Sequence, residues 1–124
     1  MPKPKFAEVD PVVLAAYMAA IAATPGAEPK GATRPYTSVN GNMTSSISGD
    51  NVIGLRLAPA DRLAFCERFD TTLFEGLPGF IQKEYVAVPA SMLTDAPTLA
   101  QYFKLSFEYV SRLKPKPTTR GSKS

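Results

Sequence analysis

Tyr36-Thr37-Ser38-Val39-Asn40-Gly41-Asn42-Met43-Thr44-Ser45-Ser46-Ile47 places two runs of strand formers around Asn-Gly, the strongest short hairpin signal, because both turn residues accept the positive φ of a type I′ turn. Strands are read from Arg34 to Val39 and from Met43 to Ser48. A two-residue turn sets Ser38 opposite Met43 and Tyr36 opposite Ser45, which puts Tyr36, Met43 and Ile47 on one face. A third strand, Val52 to Leu57, follows Gly49-Asp50-Asn51. Ile53, Leu55 and Leu57 join the Ile47 face only if that connection holds an odd number of residues, so a three-residue turn with one left-handed residue is expected. The opposite face then presents Thr37, Thr44, Ser46 and Arg56 as a polar surface suited to water or a partner.

Helices are legible on both sides of this meander. Asp10-Pro11 is an N-cap followed by a first-turn proline, and Val13, Leu14, Tyr17, Met18 and Ile21 recur at helical spacing until Pro25-Gly26. The remaining face of this helix, roughly 11 to 23, is alanine, suited to water or to close approach of another helix. Ala58-Pro59-Ala60-Asp61 opens a second helix to about Phe69, with Leu63, Cys66 and Phe69, and Phe65 beside them, expected to be buried and Arg62, Glu67 and Arg68 in solvent. Short strands Thr71 to Phe74 and Gln82 to Val88 flank Gly76-Leu77-Pro78-Gly79. Alternation puts Val86 and Val88 on the core face and Lys83, Tyr85 and Ala87 on the other. Thr94 or Asp95 caps a last helix whose inner stripe is Leu99, Tyr102, Phe103, Ser106, Val110 and Leu113. The order α-β-β-β-α-β-β-α makes this an α+β chain with an antiparallel sheet.

The 124 residues fit one domain, assigned to 10–113, with a flexible N-terminus over 1–9 and a basic tail over 114–124. A net charge of +3 invites a nucleic-acid reading, but Lys114, Lys116, Arg120 and Lys123 supply four of the fourteen cations. Residues 1–113 therefore carry ten cations against eleven acids, and the basicity belongs to a tail without aromatics to stack on bases. No apolar run reaches membrane-spanning length, and a single cysteine fits a reducing compartment, so a soluble cytoplasmic protein is expected.

The chain has no histidine and one cysteine, which removes Ser-His-Asp and Cys-His catalysis in their usual forms and leaves no zinc ligand set. Gly41, Gly49 and Gly54 do not form a phosphate loop. Glu67, Asp70, Glu75 and Glu84 read as separate surface carboxylates paired with Lys83 or Arg68, and Cys66 as a small hydrophobe. No catalytic, cofactor or metal residue is assigned. The candidate interaction surface is Thr37, Thr44, Ser46, Arg56, Lys83 and Tyr85.

Val39-Asn40-Gly41-Asn42-Met43, then Leu55-Arg56-Leu57 with Asp61-Arg62, then Phe74 to Pro89 with Pro78-Gly79 and Lys83-Glu84-Tyr85-Val86, resemble the TfoX N-terminal domain family over about residues 10 to 116. The resemblance implies a small bacterial two-layer α/β domain, in a family named for a regulator of competence for DNA uptake. No catalytic residues are carried over. Where the family usually has Met-Phe-Gly before the hairpin, this chain has Gly31-Ala32-Thr33-Arg34-Pro35-Tyr36-Thr37, and Thr44 stands where an aromatic is common. The expected function is a non-enzymatic regulatory or protein-interaction module, acting through the polar sheet face or the alanine face of the first helix, on a protein partner or a second copy. The alternatives are a weak nucleic-acid binder using the tail with Arg56 and Lys83, and a small-molecule-binding domain.

Overall fold

Asp10 caps the first helix by accepting the Val12 and Val13 amides on Oδ1, at 2.8 and 3.4 Å, and its own amide donates to Asn51 Oδ1 at 2.9 Å. The cap therefore fixes both the helix start and its seat beside the turn that contains Asn51. In the computed structural model, which describes residues 9–31, 34–77 and 79–114, the elements are α1 (Pro11–Ala22), β1 (Tyr36–Val39), β2 (Asn42–Ile47), β3 (Ile53–Arg56), α2 (Pro59–Phe69), β4 (Leu73–Leu77), β5 (Phe80–Ala87), a short 3-10 turn (Ala90–Thr94) and α3 (Ala96–Ser111). The fold is α+β, with the expected order of helices and strands and one five-stranded antiparallel sheet ordered β1-β2-β3-β5-β4. The 3-10 turn was not expected.

Both turns of the meander form as their residues require. Asn40 and Gly41 take φ of 53° and 83°. Ser48 and Val52 close a three-residue loop through the Ser48 amide at 2.9 Å, with Asn51 left-handed at φ 62°. That odd count carries Ile53, Leu55 and Leu57 to the Ile47 side, where all four are buried.

One face of the sheet carries the helices. Val13, Tyr17, Ala20 and Ile21 of α1, Phe65 of α2 and Leu99, Tyr102 and Phe103 of α3 form one cluster with Ile47, Ile53, Leu55, Leu57, Val86 and Val88. Tyr17 and Phe103 meet edge to face at 5.4 Å, and Tyr102 stands edge-on to Phe65 at 4.9 Å, contacts that add about 0.5–1.5 kcal/mol each beyond area burial. The packed unit reaches past the expected boundaries. Val9, assigned to a flexible terminus, is buried, and the carbonyl of Lys114, assigned to the tail, accepts Asn42 Nδ2 at 3.0 Å. The rest of both expected terminal segments lies outside the described residues.

Two expectations about facing are corrected. The β1–β2 ladder begins as predicted, with Ser38 opposite Met43, but a bulge inserts Thr44, so that Thr37 pairs with Ser45 and Tyr36 with Ser46. One extra residue inverts the alternation. Tyr36 and Met43 therefore do not share the Ile47 face, and Thr37 and Thr44, expected on an open polar surface, are buried. On α2 the buried side centres on Phe65, with Cys66 and Phe69 half-buried against the core. Leu63, expected in that stripe, is 64% exposed, while Arg62, expected in solvent, is half-buried.

Candidate functional site

The six candidate residues separate into two groups. Thr37 and Thr44 bond each other through their hydroxyls, Thr37 Oγ1 meets Ser45 Oγ at 2.5 Å, and Ser45 Oγ meets the Tyr17 hydroxyl at 2.7 Å. Ser106 Oγ of α3 donates to the Thr44 carbonyl at 3.0 Å. This hydroxyl cluster locks β1 and β2 to α1 and α3. Burial pushes the Tyr17 phenol up to about 12 against the lowering effect of its Ser45 and Thr37 contacts, so Tyr17 stays neutral and serves as a structural hydrogen-bonding group.

Arg56 and Tyr85 come together on the helix-free face, around a hollow of about 480 Å³ also lined by Gln82 and the Gly41–Met43 segment; Lys83, expected beside Tyr85 by alternation, touches its rim but also lines the space under Arg62, Leu63 and Cys66 of α2. Arg56 is held from three sides. Its Nε donates to Glu84 Oε1 at 2.8 Å, its Nη1 donates to the Met43 carbonyl at 3.3 Å, and its guanidinium lies 5.8 Å from the Tyr85 ring centre. Tyr85 also donates its hydroxyl to the Met43 carbonyl, at 3.1 Å, reaching across β3 to β2. Burial raises its phenol, with Arg56 partly offsetting the rise. Glu84 thus pairs with Arg56 and not with Lys83, and the positive charge expected of Arg56 is largely neutralised. Ser46 lies on the same face opposite Gly54, outside this hollow.

Sequence reasoning missed the other end of the sheet. β4 is an edge strand that pairs only with β5. Leu63, Leu73, Phe80 and Ile81 are all exposed there, Phe80 at 68% and Ile81 at 56%. Leu73 links two hollows. One, of about 560 Å³, has Phe74, Ile81 and Ala87 on its wall with Asp50 and Glu75. The other, of about 380 Å³, lies under α2, between Leu63, Cys66, Arg62 and Lys83. A signal existed in the sequence: Phe80 and Ile81 are adjacent in a strand, so they point to opposite faces, and a hairpin end with no layer over one face cannot bury both.

Cys66 has its thiol pushed up by burial, with Arg62 opposing, which lowers its thiolate fraction and disfavours nucleophilic use. Arg68 donates to the Tyr102 hydroxyl at 3.2 Å and stacks on Phe69 at 4.9 Å instead of pairing with a carboxylate. Among the described residues no cluster of three or more Cys, Asp or Glu side chains could hold a metal ion, and no helix is long and apolar enough to cross a membrane. No protein-family model, curated protein or solved structure matches the chain.

Proposed function

We propose that this protein is a non-enzymatic interaction module that binds a protein partner at the open β4 edge of its sheet. One observation carries the reading: Leu63, Leu73 and Ile81 are exposed around the last strand of the sheet and joined through the hollows that Leu73 shares, with Phe80 exposed next to Ile81. Exposed apolar side chains beside an unpaired strand edge form the kind of surface that a partner covers. The titratable groups give no competing reading, because the cations and acids found together, Arg56 with Glu84, neutralise each other. We extend the proposal to lineage: the three sequence blocks that resemble the TfoX N-terminal domain family support a regulatory setting for the interaction.

A photo-crosslinking amino acid in place of Leu73, compared with one in place of Glu108 on the outer face of α3, tests this in cell extract. A discrete adduct formed from position 73 alone, and lost on Ile81→Lys, is the expected result. Equal adducts from both positions would remove the β4 edge from consideration.

A further inference from the structure

Beyond identifying an edge, the charges beside it specify what fits there, an inference that rests on the interaction reading above. The two hollows that share Thr72 and Leu73 open to opposite sides of the sheet. The larger is walled by Phe74, which packs over Gly54 on the helix-free face, and its charged residues are Asp50 and Glu75. The smaller is walled by Pro59, Leu63 and Cys66 of α2, and its charged residues are Arg62 and Lys83. The edge therefore separates an acidic apolar hollow from a basic apolar hollow.

A strand added to β4 would direct alternate side chains into the two hollows, since neighbours along a strand point to opposite faces. We propose that the occupant is an extended peptide segment of a partner protein, with apolar and basic residues on one strand face and apolar and acidic residues on the other. The backbone of β4 supplies the pairing groups. Leu73 and Ile81 supply the apolar contact on one side and Leu63 on the other, and the four charges set which face of the peptide enters which hollow.

Two synthetic octapeptides of identical composition test the charge pattern. Val-Glu-Lys-Leu-Val-Glu-Lys-Leu puts its lysines and glutamates on opposite strand faces, whereas Lys-Val-Glu-Leu-Lys-Val-Glu-Leu puts them on the same face. Binding to the full chain is followed by fluorescence anisotropy and by backbone amide shifts over residues 71–77. The expected result is about tenfold tighter binding of the first peptide, the size that two or three exposed ion pairs supply, and its loss in Leu73→Lys. Because that variant replaces an apolar strand residue, the double variant Asp50→Lys with Glu75→Lys, which exchanges one charge for another at two exposed positions, serves as a second readout. It makes both hollows basic, and should shift preference to Val-Glu-Glu-Leu-Val-Glu-Glu-Leu.

Equal binding of the two isomers at β4 would overturn the charge-split assignment and leave the edge reading standing. Binding of neither, with the position-73 adduct intact, would overturn the extended-peptide occupant alone. Loss of both signals would overturn the two readings together. Concentration-dependent dimerisation that shifts the same β4 amides, or peptide binding seen only after residues 115–124 are deleted, would make this chain its own occupant and overturn the proposal.

Discussion

Gly54 and Phe74 divide one space between them: a Cβ at position 54 would fall 2.5 Å from Cδ2 of the Phe74 ring. Phe74 is fully buried, yet it lies outside the main core, on the helix-free face, 6.4 Å from the Tyr85 ring. The absence of a side chain at 54 thus lets β4 fold its phenylalanine over the sheet and form the wall of the larger edge hollow.

Gly54→Ala should displace the Phe74 ring and destabilise the protein by roughly 1–3 kcal/mol in urea denaturation, and Phe74→Ala by about 3–5 kcal/mol. Since the two residues share one space, the double variant should fall short of the sum, and strict additivity would show that the ring does not sit on residue 54.

Tyr17→Phe removes the phenol that meets Ser45 at 2.7 Å, at a cost of about 1 kcal/mol near neutral pH, because Ser45 keeps its Thr37 contact. The alkaline limb is more telling. A phenol raised from 10.0 to about 12 holds its proton more tightly folded than unfolded, so its contribution is complete below pH 10 and is lost as pH rises toward 12. That contribution is on the order of 2–3 kcal/mol, and Tyr17→Phe should flatten the fall of stability over this window, leaving the part due to Tyr85. An unchanged slope would mean that Tyr17 ionises freely in the folded protein.

Arg56 binds Glu84, the Met43 carbonyl and the Tyr85 face at once, whereas a lysine presents a single point charge. Arg56→Lys should therefore cost more than Glu84→Gln. The glutamate's side chain is 46% exposed, so its loss should stay below about 1 kcal/mol and shrink further in salt. If both variants cost the same, the carbonyl and ring contacts contribute nothing.

Cys66 borders the smaller edge hollow, with its thiol raised by burial. Alkylation should be slower than that of a free thiol near neutral pH, should accelerate as pH rises, and should slow again when the charge-split peptide is bound. Unaltered labelling with the peptide present would place its binding elsewhere.

Much of the fold was readable in advance because its determinants act over a few residues. Asn40-Gly41 and Gly49-Asp50-Asn51 set their turns through positive φ, and Asp10 and Asp95 cap helices with their own side chains. The candidate site was half readable. Alternation along β5 placed Tyr85 on the helix-free face, but nothing local shows that Arg56 turns to Glu84, 28 residues away. On α2, the helical spacing that admits Leu63 to a buried stripe also admits Arg62 with Phe65 and Phe69, and the position of Tyr102 on α3 selects the second.

The sequence by itself determined the order of the α-helices and strands, both meander turns and the side of the sheet taken by Ile47, Ile53 and Leu55, since caps, turn dihedrals and period-two alternation are properties of neighbouring residues. Only the tertiary structure decided where that alternation breaks. The bulge at Thr44 turns Thr37 and Thr44 inward, where their hydroxyls and backbone are satisfied by groups from Tyr17 on α1 through Ser45 and from Ser106 on α3. A polar residue can be buried only where such distant partners converge, and so Thr37 and Thr44, expected on a polar surface of β1 and β2, became part of the core, while Leu73, Phe80 and Ile81 stay exposed at β4 and β5, where β4 is an edge strand that pairs only with β5.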